Sequence, residues 1–132
     1  MPVRLLVVDD HEIVRMGVRI LFSDTHLWDI CGEATDGPEA IAKVAELSPD
    51  VVILDLTMPA MGGFDTAKRI RQASPSTRIV FFSMHETPTT ARLVGADAFV
   101  SKSTAARDLA RTIRRLLEGR ETPPLTATQH GD

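Results

Sequence analysis

The sequence predicts an α/β protein: a doubly wound, five-stranded parallel sheet in the order 2-1-3-4-5, with helices on both faces. Two observations carry this. Continuous runs of Val, Ile and Leu recur along the chain without apolar–polar alternation, as strands buried on both sides do. Segments of helical period separate the runs, and parallel strands need such crossovers. The 132 residues fit one domain.

Each element can be read in turn. Leu5 to Val8 form the first run, and helical spacing follows at Val14, Gly17, Val18 and Leu21. A weaker strand lies near Asp29 to Ala34. Ala40, Ile41, Val44 and Ala45 mark the next helical face. Val51 to Leu54 form the third run, followed by Phe64, Ala67 and Ile70 at helical spacing. Ile79 to Phe82 come next, then a short segment from Pro88 to Val94, with Thr87 as its N-cap and Pro88 at its first position. Ala98 to Val100 form the last run. Ala106, Leu109, Ala110, Ile113 and Leu117 form the last stripe. The composition changes after Gly119: residues 120–132 hold two prolines and no core-forming period, and read as a linker or tail following a domain of residues 1–119.

Composition narrows the function. The chain is 43% hydrophobic and 25% charged, ordinary for a soluble globular protein. No apolar run approaches the roughly 20 residues that cross a bilayer. The N-terminal run is too short for a signal peptide, and two acids follow it, so a cytoplasmic protein with no membrane partner is expected. Cys31 is the one cysteine, which excludes an internal disulfide and a cysteine-cluster metal site, and reads as a small buried apolar residue. The net charge of −3 lacks the basic excess of a domain that binds DNA by itself. The basic stretch "RTIRRLLEGR" reads as the charged outer face of an amphipathic helix.

Ligands of open α/β sheets bind outside the carboxyl ends of the strands. Asp9 and Asp10 follow the first run, Asp55 follows Leu54, Ser83 follows Phe82, and Lys102 follows Ser101. Any one of these is an ordinary solvated strand end. Together they bring three carboxylates, a hydroxyl and an ammonium to one end of the sheet. Three adjacent carboxylates repel one another, and a divalent cation removes that cost. Oxygen-only ligands suit Mg²⁺, which often completes its shell with phosphate oxygens. An aspartate can accept a phosphoryl group as an acyl phosphate. The constellation reads as Mg²⁺-assisted phosphoryl transfer to a carboxylate.

"LLVVDDHEIVRMGVRILF", "GEATDGPEA", "DVVILDLTMPAMGG" and "GADAFVSK" together resemble the receiver domain of two-component response regulators, most closely the NarL/FixJ (LuxR-type) subfamily. The likeness covers roughly residues 3 to 118. It implies a flavodoxin-like receiver fold and a role for each position. Asp55 would be the phosphoacceptor, supplied by a sensor histidine kinase. Asp9, Asp10, Asp55 and the backbone carbonyl of Thr57 would hold Mg²⁺. Ser83 would be the switch hydroxyl, Lys102 the partner of the phosphoryl oxygens, and Phe99 the switch aromatic. The bland reading of Phe99 is core packing. Gly62 and Gly63 would give the loop after the acceptor positive φ and close approach. Dimerisation on phosphorylation and transcriptional control are implied by resemblance only.

Two departures stand out. Ser103 follows Lys102 where the family often has proline, which leaves a cis bond there in doubt. The stretch from Ser83 to Lys102 is nearly one helical turn short, so a shortened fourth helix and an atypical output face are expected. NarL-type regulators continue into a DNA-binding helix-turn-helix domain. "LTATQ" begins as that domain often does, so the chain reads as a receiver cut from a longer transcription factor, touching DNA only through a domain outside it. Two rival readings exist. A phosphatase of the haloacid-dehalogenase kind needs a second aspartate where Thr57 stands. A phosphorylation-independent interaction module would follow if the short fourth helix had altered the switch.

Overall fold

Five strands and four helices lie among the residues that the computed structural model describes, namely 1–23, 26–84, 95–103 and 107–119. In chain order they are β1 (Val3–Val8), α1 (Glu12–Leu21), β2 (Trp28–Ala34), α2 (Gly37–Leu47), β3 (Val51–Leu54), α3 (Gly63–Ala73), β4 (Arg78–Ser83), β5 (Ala98–Ser101) and α4 (Arg107–Leu117). The expected helix from Pro88 to Val94, its Thr87 cap and the tail at 120–132 lie outside the described residues.

The strands form one parallel sheet in the order β2-β1-β3-β4-β5. The apolar runs are buried on both faces, as their lack of alternation requires: Val51 to Leu54, Ile79 to Phe81 and Leu5 to Val8 expose almost nothing. α1 and α4 share one face of the sheet, where Leu109 joins Val14, Val18 and Leu21 around a groove of about 230 Å³. α2 and α3 pack together on the other. Phe64 of α3 meets Phe81 of β4 edge to face, with centroids 5.5 Å apart.

Local chemistry sets the helix limits. Asp36 caps α2 by accepting from the Glu39 N–H at 2.8 Å, and the Glu39 carboxylate accepts from the Thr35 N–H at 2.8 Å. Ser48 closes α2 in the left-handed region at φ 48. Pro59, Ala60 and Met61 make a γ-turn: the Met61 N–H donates to the Pro59 carbonyl at 2.7 Å, and Ala60 has φ +71.

Several expectations change in detail. Cys31 is half-buried, because β2 is an edge strand and Cys31 is the extra residue of a β-bulge: Leu5 pairs with Ile30, and Leu6 with Gly32. α4 buries Leu109, Ile113 and Leu116, while Leu117 is exposed, since i, i+4, i+7 is the line facing the sheet. Ala45 faces outward from α2 for the same reason, and Gly17 of α1 is exposed where it lines that groove. Arg111, Arg114 and Arg115 occupy the outer face of α4, as expected. Gly62 has φ −66 and Gly63 also lacks a positive φ, so positive φ in this loop belongs to Ala60 instead. Gly63 does serve close approach: a Cβ there would sit 2.4 Å from the Asp55 carbonyl oxygen.

Candidate functional site

The chain leaves β1 in one direction along the sheet and β3 in the other. The crevice at the carboxyl ends of these two strands is therefore the switch point where such sheets bind ligands. β1 delivers Asp9 to it and β3 delivers Asp55. Their backbones are fixed by the sheet: the Asp9 N–H donates to Ala34 O and the Asp55 N–H to Val8 O, both at 3.0 Å.

Both side chains are buried, and a buried carboxylate is costly unless paired. Lys102 supplies the pairing from the end of β5. Its Nζ lies 2.6 Å from Asp9 Oδ2 and 3.5 Å from Asp55 Oδ1. The Lys102 N–H donates to the Ser83 carbonyl at 2.9 Å, so the ladder between β4 and β5 aims the lysine. Asp9 uses its other oxygen in an Asx-turn, accepting the His11 N–H at 2.9 Å. That turn carries Asp10, which is exposed.

Burial pushes the Asp55 carboxyl above the ordinary aspartate range. The Lys102 ammonium pulls it back, the Asp9 carboxylate pushes it further up, and an N–H bond from Thr57 lowers it. Ligand atoms of Asp9, Asp10, His11 and Asp55 lie within 4.8 Å of one another. The carboxylate oxygens fit a hard divalent cation such as Mg²⁺, which would relieve the repulsion between Asp9 and Asp55.

The Response regulator receiver domain family matches residues 5–114 of the chain. The chain belongs to that family. The receiver domain is similar to the nitrate/nitrite response regulator protein NarL of Escherichia coli K12, with 36% identity over 89% of this chain and 56% of NarL. It thus spans about half the length of that relative. The crystal structure of a LuxR-family two-component response regulator from Aurantimonas sp. SI85-9A1 superposes with a TM-score of 0.87 at 35% identity, covering 98% of this chain and 94% of that one. The isolated receiver domain of RcsB from Salmonella enterica serovar Typhimurium, solved in the presence of phosphomimetic BeF₃⁻, gives 0.86 at 25% identity, covering 98% of both chains. The two-component reading, its NarL/LuxR-type kinship and the doubly wound fold are thereby established.

The other expected positions of the receiver fall as follows. Ser83 ends β4 and is fully buried. Thr57 is exposed just after Asp55. Phe99 is buried in β5 opposite Phe81, among the core side chains. No peptide bond among the described residues is cis, Lys102–Ser103 included.

Two residues at the site escaped the sequence reading. His11 brings Nδ1 within 3.1 Å of both Asp9 Oδ1 and Asp10 Oδ1. Arg15 reaches back from α1 to the Asp9 carbonyl oxygen at 2.7 Å. "DDH" could have pointed to the first. The second had no signal, since an arginine in the first helix after a strand reads as solvated surface.

Proposed function

We propose that this receiver domain accepts a phosphoryl group from a sensor histidine kinase on Asp55 and passes the change to an output domain. The observation that supports this is the meeting of Asp9, Asp10, Asp55 and Lys102 in the switch-point crevice. An Asp55 oxygen attacks the phosphorus of the kinase's phosphohistidine. The P–N bond breaks as the O–P bond forms, and the imidazole leaves with the bonding pair and takes up a proton. Asp9, Asp10, Asp55 and the Thr57 carbonyl would hold Mg²⁺, which when bound neutralises charge on the phosphoryl oxygens.

Lys102 already faces Asp55 and would turn from Asp9 to the transferred phosphoryl oxygens. Ser83, in register with Ser101 beside Lys102, would donate its hydroxyl to the phosphoryl group. Phe99 would carry the change from β5 toward the signalling face. Hydrolysis of the acyl phosphate would be the domain's own slow reaction and not turnover of a separate substrate. The similarity to the RcsB receiver, solved with a phosphoryl mimic, supports the same reading. In the cytoplasm, a DNA-binding domain joined beyond residue 119 would convert this switch, through a phosphorylation-dependent homodimer, into transcriptional control.

Incubation with acetyl phosphate and Mg²⁺, followed by intact mass, tests the reading. We expect a gain of one phosphoryl group that Asp55→Asn abolishes. An unchanged mass would favour the phosphorylation-independent module.

A further inference from the structure

Arg15 joins three parts of the fold. Its Nε donates to Glu33 Oε1 of β2 at 2.9 Å, and its Nη1 donates to the Asp9 carbonyl at 2.7 Å. Its side chain is largely buried, at 13% exposure, so these contacts sit out of bulk water. Arg19, one turn further along α1, pairs with the other Glu33 oxygen and is more exposed. The Lys43 ammonium of α2 donates to the Glu33 carbonyl. Glu33 is thus held from α1 and α2, and it holds Arg15. Burial pushes the Glu33 carboxyl up, but the hydrogen bonds from Arg19 and Arg15 outweigh this and hold it below the usual glutamate range.

The Asp9 carbonyl lies where β1 has ended and the acidic turn begins. Its neighbours along the chain are Asp10 and His11, and the Asp9 carboxylate spans the turn to the His11 N–H. The peptide that follows Asp9 therefore sets the direction of both acidic side chains. Arg15 is the group that grips this peptide. Glu33 orients the guanidinium and offsets a positive charge that would otherwise oppose a cation nearby.

We propose that Arg15, oriented by Glu33, is a positioning residue that holds the acidic turn so that Asp9 and Asp10 converge with Asp55 on the cation. This rests on the Mg²⁺ reading given above. Groups that orient metal ligands typically change metal affinity by about 10-fold to 100-fold when removed.

The test is titration of the whole chain with Mg²⁺ alone by calorimetry, with thermal unfolding of each variant in parallel. Arg15→Met should weaken Mg²⁺ binding about tenfold. Arg15→Lys, which can reach one of the two partners, should lie between it and the wild type. Glu33→Gln should weaken binding in the same direction. Arg19→Met is the control: it also loses a Glu33 pairing but has no bond to the Asp9 carbonyl, and it should stay within about twofold of the wild type. A merely stabilising ion pair would make Arg15→Met and Arg19→Met alike, and that result, or an unchanged affinity in folded Arg15→Met, overturns the proposal. If Arg15→Met does not fold, Arg15→Lys with wild-type affinity overturns it. A wild-type chain that neither binds Mg²⁺ nor gains a phosphoryl group defeats the functional reading itself, a failure visible without any Arg15 variant.

Discussion

Lys102 and Asp9 are 93 residues apart in sequence and 2.6 Å apart in space, with side chains 11% and 3% exposed. The pair is the electrostatic keystone of the site, since the same ammonium also faces Asp55. Removing one partner of a buried pair leaves an uncompensated charge, which costs about 3 kcal/mol. Lys102→Ala should therefore lower the unfolding free energy by about that amount in EDTA. Added Mg²⁺ should restore more stability to the variant than to the wild type, because it replaces a missing cation. Thermal unfolding with and without Mg²⁺ measures both; an equal Mg²⁺ response in the two proteins would count against a shared role.

Two carboxyls should give stability opposite dependences on pH. Asp55 has its pKa raised in the folded state, chiefly by burial. Its contribution is fully present below the unfolded pKa and is lost as pH rises through the folded value. Asp55→Asn never ionises, so its stability relative to wild type should grow in EDTA as pH rises above the ordinary aspartate range. Glu33 has its pKa lowered, because the arginine hydrogen bonds exceed the burial penalty. Its contribution is present above the unfolded pKa and is lost as pH falls through the folded value, so the deficit of Glu33→Gln should close on acidification. Denaturant unfolding from neutral pH down to below the ordinary glutamate range measures both slopes. A flat difference for either variant would contradict its assigned cause.

Gly63 opens α3 against the backbone of the acceptor strand. A Cβ there would lie 2.4 Å from the Asp55 carbonyl oxygen and 2.6 Å from the Leu56 Cα, and neither is the end of a flexible side chain. Gly63→Ala must move α3 or the loop, with a cost of about 2 kcal/mol. Since that loop carries Asp55, the rate of modification by acetyl phosphate should fall with it. Equilibrium unfolding and intact-mass kinetics report the two effects. Wild-type behaviour in both would falsify the close-approach account.

Ala60 stands at the centre of the γ-turn at φ +71, where an L side chain is strained. Ala60→Gly should relieve this and stabilise the domain by up to about 1 kcal/mol, after the extra freedom of glycine in the unfolded chain is deducted. Urea unfolding would show it as a higher midpoint at constant slope. A lower midpoint would mean the turn is not strained there.

What was legible in the sequence was whatever repeats with a period or sits at a strand end. Unbroken Val/Ile/Leu runs could only be strands covered on both faces, and their alternation with helical stripes led to the parallel order with its switch point. Asp9, Asp55, Ser83 and Lys102 were legible because chain direction puts the residue after each run at the same edge. Three-dimensional packing decided the rest. Which arc of α4 faces the sheet, Leu116 rather than Leu117, depends on where the helix lies on the sheet. The bulge at Cys31 arises from pairing β2 with β1, an event that leaves no mark in β2 alone. The positive φ falls at Ala60, the centre of the γ-turn, while Gly63 serves close approach at the start of α3. Arg15 joins the site only because Glu33 lies across from it on β2, 18 residues on. The sequence alone determined that Asp9, Asp10, Asp55, Ser83 and Lys102 reach one end of the sheet, through local periodicity and strand direction. Tertiary structure alone decided which of them pair, because Lys102, which pairs with Asp9, and Glu33, which orients Arg15, come from elements distant in the chain.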